Sequence, residues 1–151
     1  MKRVSVQPRD IDTADELAAL EALGGGGIAS FTGIVRGEPG LVALELEHYP
    51  AMTQARLEAI VDEAMARWPL LGVSVIHRFG RLEPGARIVF VGTASARRAA
   101  ALESCAFLID WLKTSAPFWK KTHLASGGSE WVEAMADDDA RAAAWGAPDG
   151  I

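Results

Sequence analysis

Arg97 and Arg98 stand where basic side chains are unfavourable. They follow an apolar run and open a predicted helix, whose first turn carries the positive end of the macrodipole and prefers acids. Exposed N–H groups at a helix start, joined by two guanidinium groups, form a cradle for phosphate or another small anion. The same pair is equally compatible with side chains that reach solvent or meet acids from another element. Arg36 is a second candidate cation. It ends the apolar segment Phe31-Thr32-Gly33-Ile34-Val35 and enters a Gly-Pro-Gly loop, the kind of strand end where binding residues collect and where strands also simply surface. Lys113 and Lys120 flank Thr114-Ser115-Ala116-Pro117-Phe118-Trp119. Lys113 closes a predicted helix, where its charge complements the dipole whatever else it does. Packing of Lys120 against Phe118 and Trp119 would partly desolvate its ammonium, the condition under which a lysine does acid, base or nucleophilic work near neutral pH.

The other reactive residue types carry less. Cys105 falls on the apolar stripe of its helix and reads as a buried, inert thiol. His48, His77 and His123 have no metal-ligand spacing with one another or with Cys105, so no metal site is expected. His77 alternates with Val75 and Phe79, which predicts a half-buried strand histidine. No phosphate-binding P-loop or dinucleotide fingerprint is present, and the glycine run at 24–27 reads as a turn.

The elements that must position these residues follow from periodicity and turn chemistry. A short strand is expected at 4–6. Thr13-Ala14-Asp15-Glu16 reads as a capping box opening a helix to about residue 23. Residues 28–35 and 41–48 read as an antiparallel pair of strands joined by the turn Arg36-Gly37-Glu38-Pro39-Gly40. Pro50 starts a helix with an apolar stripe of Met52, Ala55, Ile60, Ala64 and Trp68. Val73, Val75, His77 and Phe79 mark a strand, Glu83-Pro84-Gly85 a turn, and 88–94 a nearly continuous apolar strand. A second long helix spans about 96–113, buried along Leu102, Cys105, Ile109 and Leu112, and Pro117 ends it. Residues 118–124 and 130–134 flank Ser126-Gly127-Gly128-Ser129 as a hairpin, and a short helix at 137–145 closes the chain. Strands and helices alternate irregularly and the strand pairs look antiparallel, so the fold class is α+β, in one domain covering 1–151.

Composition limits the function. The chain has 151 residues, half of them hydrophobic, enough to bury a core. No apolar run is long enough for a membrane span, and the N-terminal residues lack a signal-peptide stretch, so the expected address is the cytoplasm. A single cysteine excludes an internal disulfide and suits a reducing compartment. The net charge of −5 argues against a nucleic-acid footprint. Between Arg67 and Lys121, however, nine basic residues face three acids, a local net of +6. That excess suits one anion site or, equally, a solvated basic face.

Taken in order, several segments resemble the catalytic (large) subunit of molybdopterin synthase. These are Phe31-Thr32-Gly33-Ile34-Val35-Arg36, Leu46-Glu47-His48-Tyr49-Pro50-Ala51-Met52, Val75-Ile76-His77-Arg78, Gly80-Arg81-Leu82 and Pro84-Gly85. The run from Asp110-Trp111-Leu112-Lys113 through Pro117-Phe118-Trp119-Lys120-Lys121, and Trp131-Val132-Glu133-Ala134, complete the set, which covers about residues 27–145. The resemblance implies an α/β hammerhead-like fold, with an antiparallel sheet, two long helices, a C-terminal hairpin and a short helix. It implies a sulfurtransferase that inserts two dithiolene sulfurs into cyclic pyranopterin monophosphate. The sulfur arrives as a thiocarboxylate on the C-terminus of a small ubiquitin-like subunit. It further implies a homodimer of large subunits within a heterotetramer, with no cofactor and neither nucleic acid nor membrane as a partner.

Carried over position by position, the family's catalytic pair is Lys113 and Lys120. Substrate contacts fall on Ile34, Val35, Arg36, Arg97, Arg98, Lys121 and Thr122, besides the two lysines. The chain departs from the family in having Arg97 where histidine is frequent, Thr122 where glutamate is frequent, Glu130 where a basic residue is common, and a short 37–40 loop. Two rival functions remain open on the residues themselves: a module that binds a ubiquitin-like tail or a phosphorylated ligand without turnover, and a dimeric structural protein whose basic patch meets an acidic partner.

Overall fold

The computed structural model describes residues 1–132 and 136–146, the side chains of 136–139 excepted. Twelve elements follow one another among them: β1 (Lys2–Gln7), α1 (Thr13–Glu21), β2 (Gly27–Ile34), β3 (Leu41–His48), α2 (Pro50–Arg67), β4 (Leu70–Arg78), β5 (Gly80–Leu82), β6 (Arg87–Ser95), α3 (Arg98–Ser115), β7 (Phe118–Leu124), β8 (Ser129–Val132) and α4 (Ala136–Ala143). The α+β class and the two long helices are as expected. Glu133 and Ala134, predicted to extend the last strand, lie outside the described residues.

The strands form two four-stranded sheets, ordered β1-β4-β6-β2 and β5-β3-β7-β8. Two sequence-based expectations are corrected here. β2 and β3 are not partners: β2 pairs with β6, whereas β3 pairs with β5 and β7. The turn between them forms, with Leu41 N–H donating to the Glu38 carbonyl at 3.0 Å, but it carries the chain from one sheet to the other. Alternation identifies strands without naming their partners. Likewise not every pair is antiparallel, since β1 runs parallel to β4. The long connection between those two strands, which contains α1 and α2, permits that pairing.

The first sheet is covered on both faces, which explains the continuous apolar run of β6. On one side Val73, Val75, Val89 and Val91 pack against Leu57, Ile60, Val61 and Ala64 of α2 and Ala101, Cys105, Phe107, Leu108 and Leu112 of α3. On the other, Ile76, Phe90 and Ala94 meet Ile11 and Leu20 beside α1. The second sheet has its own core of Val35, Leu46, Leu82 and Ile88, with Phe79 and Phe118 at its margin.

Helix limits follow local rules. Asp12, not Thr13, caps α1, accepting the Asp15 N–H at 3.0 Å. α2 begins on Pro50 and stops at Trp68, which takes extended backbone before Pro69. α3 stops in the same way at Ala116, before Pro117. Ile60, Ala64, Cys105 and Leu112 are buried as expected, but Met52, Ala55 and Leu102 are exposed, and Thr53, Leu57 and Val61 on α2 and Phe107 and Leu108 on α3 complete the buried faces.

Candidate active site

Four elements converge where the helix-covered core meets the second sheet. The inward-facing series of β4, Val73 then Val75, ends on His77. β6 begins opposite with Ile88 and Val89, and Val89 is the register partner of His77. The last turns of α3 bring Ile109, Leu112 and Lys113. After the Ala116-Pro117 stop, Phe118 N–H donates to the Ala116 carbonyl at 2.8 Å, and β7 leaves with Phe118 and Lys120 on one face. His77, Ile88, Val89, Ile109, Leu112, Lys113, Ala116, Phe118 and Lys120 line a narrow cleft of about 40 Å³. Six residues separate the two lysines in sequence, and the helix stop folds them onto one opening. Lys113 is exposed and Lys120 half-buried.

Trp119 and Lys121 occupy the opposite face of β7, as strand alternation requires. Trp119 meets Tyr49 edge-on at 4.8 Å, and the Lys121 ammonium lies 5.2 Å from the centre of the Trp131 ring. The aromatic wall beside Lys120 is therefore Phe118 and not Trp119. Thr122 Oγ1 donates to the Glu130 carbonyl at 3.2 Å, which engages it in the β7–β8 hairpin. Tyr49, Trp119 and Trp131, with Glu47 and His48, border a second, wider hollow of about 310 Å³.

His77 is the residue whose importance the sequence understated. It is buried, not half-buried, and its ring stacks on Phe118 at 3.8 Å and 16°. Its Nδ1 lies 2.8 Å from the Arg78 carbonyl. Burial, and then the charges of Lys113, Lys120 and His48, press its pKa down to about 3 despite that hydrogen bond. The signal was available in the pattern: a histidine extends an otherwise apolar inward-facing row. His48 lies nearby, 4.5 Å from Phe79 and 5.6 Å from Phe118, with Nδ1 3.1 Å from Thr53 Oγ1, and burial lowers its pKa as well.

The arginines are distributed differently. Val35 N–H donates to the Ala86 carbonyl at 2.9 Å and its own carbonyl accepts from Gly85 at 2.8 Å. A register shift between Gly33 and Ile34 turns Val35 into the core and leaves Ile34 and Arg36 exposed. This strand end is only two residues along the ladder from Ile88, which lines the cleft. Among the described residues, however, the lining includes none of Ile34, Val35 and Arg36.

Arg97 and Arg98 sit at the other end of α3. Arg97 is the N-cap, with no side-chain cap bond, and Arg98 is the first helical residue. Both are exposed, and among the described residues neither forms an ion pair, nor does Arg36. The glycines at 25–27 press against this junction: Gly26 N–H donates to the Ser95 carbonyl at 3.0 Å, and a Cβ on Gly26 would stand 2.4 Å from the Ala96 carbonyl oxygen. They are more than a turn, because they fix the path by which β6 delivers the two arginines. From Arg98 to Lys113 the helix rises about 22 Å, so the chain does not bring the arginine pair to its own lysine cleft.

Cys105 is buried in the main core, and burial pushes its thiol up to about 11. Among the described residues no group of three or more His, Cys, Asp or Glu side chains is placed to hold a metal ion.

The model of the MoaE protein family matches residues 5–115. The molybdopterin synthase catalytic subunit of Mesorhizobium japonicum is 49% identical over 146 residues, covering 94% of this chain and 92% of the relative. The subunit of the same name from Pseudomonas aeruginosa is 48% identical over 149 residues, covering 94% and 97%. Among solved structures, the molybdopterin biosynthesis MoaE protein from Burkholderia ambifaria superposes with a TM-score of 0.83 at 45% identity, covering 97% of this chain and 99% of that one. With most of its length matched by the family model and by relatives at nearly half identity, the chain belongs to the MoaE family.

Proposed function

We propose that this chain is the catalytic subunit of a molybdopterin synthase, and that Lys113 and Lys120 carry its chemistry. The observation that supports this most directly is their convergence on one cleft backed by apolar side chains. In that setting, attack of a thiocarboxylate sulfur on an oxygen-bearing carbon of the pterin side chain forms a C–S bond as the C–O bond at that carbon breaks, the departing oxygen taking a proton. Hydrolysis of the resulting acyl–sulfur bond then leaves sulfur on the pterin and a carboxylate on the donor. The lysines stabilise the anions and move the protons of these two steps.

The sulfur has to be supplied from outside, because the chain's single thiol is buried and protonated at physiological pH. A small ubiquitin-like subunit bearing a C-terminal thiocarboxylate meets that need. Arg36, Arg97 and Arg98 take the substrate phosphate, with Ile34, Val35, Lys121 and Thr122 around it. The 22 Å between Arg98 and Lys113 makes this a site shared between two copies, with one contributing the lysine cleft and its mate the arginine pair. The assembly is thus a homodimer of this chain flanked by small subunits, each chain acting as one domain. No helix among the described residues is long and apolar enough to cross a membrane, and the cytoplasm is the proposed location.

The test is a single-turnover reaction with the purified chain, thiocarboxylated small subunit and cyclic pyranopterin monophosphate, following the dithiolene product. Product establishes the activity. Tight binding of the small subunit without product would replace the enzyme with a docking module.

A further inference from the structure

His77 takes no step in the lysine chemistry, yet it shares the lysines' cleft. Its hydrogen bonding fixes its tautomer. Nδ1 is 2.8 Å from the Arg78 carbonyl, which can only accept, so Nδ1 carries the proton. The imidazole then has one remaining polar atom, Nε2, with a lone pair and no hydrogen. The ring cannot turn easily to exchange these roles, because Phe118 stacks on it at 3.8 Å and 16° and the residue is buried. The charged and titratable groups facing it are Lys113 from α3, Lys120 from β7 and His48 from β3, and every one of them opposes a second proton. Nε2 is thus a fixed, neutral acceptor in a confined cleft that both lysines also line, where an ammonium is the natural donor to it.

We propose that His77 is a positioning residue for the lysine pair, its Nε2 lone pair accepting an N–H from a cleft ammonium and so setting the direction of the remaining N–H bonds toward the bound substrate. The inference rests on the assignment of Lys113 and Lys120 as the reacting lysines. It assigns the histidine no proton transfer of its own. Its effect on rate is therefore orientational, and loss of the acceptor lowers the rate of the chemical step more than it weakens substrate binding.

Three variants separate the parts of the ring. His77→Gln retains a hydrogen-bonding group near the Nε2 position, His77→Asn retains an N–H near Nδ1 only, and His77→Phe retains the stacked ring and volume. Each is assembled with thiocarboxylated small subunit, and single-turnover rate constants are measured against substrate concentration and pH, beside Lys113→Ala and Lys120→Ala. His77→Phe and His77→Asn are expected to lose about 10- to 100-fold in the rate constant, the worth of one hydrogen bond to a charged group, with half-saturating substrate nearly unchanged. His77→Gln should recover most of the loss. The wild-type pH profile should show no ionisation from His77 near neutrality. A long-range 15N spectrum of the wild-type dimer should show a protonated Nδ1 and a bare Nε2 from pH 5 to 9, an outcome independent of whether any variant folds.

Wild-type rates for His77→Phe, equal losses in His77→Gln and His77→Phe, or a protonated Nε2 would each overturn the proposal. Normal turnover by both lysine variants would instead remove the lysine assignment beneath it. Inactive lysine variants beside a fully active His77→Phe would sink the histidine inference alone.

Discussion

Arg98 and Lys113 occupy the two ends of α3, about 22 Å apart along one helix axis. A substrate carrying one phosphate and a reacting centre a few bonds away cannot touch both within a single protomer. The basic excess between residues 67 and 121, which in sequence looks like one anion site, is dispersed in space: Arg97 and Arg98 open α3, Lys113 and Lys120 line the cleft, Arg78 and Arg87 pair with Asp10, and Arg67 pairs with Glu63.

This separation makes a prediction about mixed dimers. Arg98→Ala and Lys120→Ala dimers should each be inactive, because every site lacks one contribution. Co-expression with two affinity tags yields hybrids in which one site joins an intact lysine cleft to an intact arginine pair. An unfractionated one-to-one mixture should then recover about a quarter of wild-type activity, as two-fold symmetry dictates. Continued inactivity of purified hybrids would place the arginines outside the shared site.

Removing a lysine should affect chemistry and not folding. Lys113 is exposed and Lys120 half-buried, and neither belongs to a hydrophobic core. Lys113→Ala and Lys120→Ala are expected to lower the single-turnover rate by about 100-fold or more, with the melting midpoint nearly unchanged. Arginine at either position should not rescue, since a planar, permanently charged fork replaces a compact ammonium. A melting midpoint that falls in step with the rate would show that the lysines are structural.

Much of this organisation was readable from sequence, and the gaps have physical causes. Proline stops, the Gly127 turn and the apolar run of β6 marked elements because those signals act locally. Strand partners were misread at β2 and β3 because alternation is the same whichever neighbour a strand chooses. Pro117-Phe118-Trp119 and the family resemblance point to Lys113 and Lys120 as the proposed reacting pair, but Phe118, not Trp119, flanks Lys120, a distinction that depends on which face of β7 the helix stop presents. His77 was judged a strand histidine from its alternation. That reading is correct for the backbone, yet nothing local says that α3 ends above it with Lys113.

Gly26 tests how the arginine pair is held. A Cβ there would lie 2.4 Å from the Ala96 carbonyl oxygen; that oxygen is backbone and the Cβ is fixed to its own Cα, so neither can simply swing away. Gly26→Ala should cost about 1–3 kcal/mol of stability, as overpacking does. It should also weaken substrate binding more than it slows the bound complex, because it displaces Arg97 and Arg98 and leaves the distant lysine cleft in place. Thermal unfolding and the substrate dependence of single turnovers measure the two effects. An unchanged melting midpoint would show that the junction yields freely.

Cys105 should be dispensable for sulfur transfer. Its thiol is held near pKa 11 by burial, packed among the α3 core residues. Cys105→Ala should cost about 1 kcal/mol for the lost atom and small cavity, and the product should still acquire two sulfurs from the thiocarboxylated donor. Isotopically labelled donor sulfur gives the readout. Label missing from the product, or a chemically inactive Cys105→Ala dimer of normal stability, would return the thiol to the mechanism.

The last prediction concerns acid. His77 titrates at 6.5 when unfolded and at about 3 in the folded chain, so its contribution to stability is complete above pH 6.5 and is lost as pH falls toward 3. In that window the unfolded chain binds a proton that the folded chain refuses, and stability should fall by up to about 1.4 kcal/mol per pH unit from this group. The depressed carboxylates Asp10 and Glu45 keep their contributions above the ordinary carboxylate range and lose them from that range downward. Between pH 7 and 4.5 denaturant unfolding therefore reports His77 together with His48, whose pKa burial also lowers, and the difference between wild type and His77→Gln isolates His77. Wild type should lose stability steadily across this range, while His77→Gln, whatever its stability at pH 7, should show a distinctly shallower slope. Parallel slopes for the two proteins would mean that His77 accepts a proton in the folded state without penalty, and that the cleft around Lys113 and Lys120 is open to water.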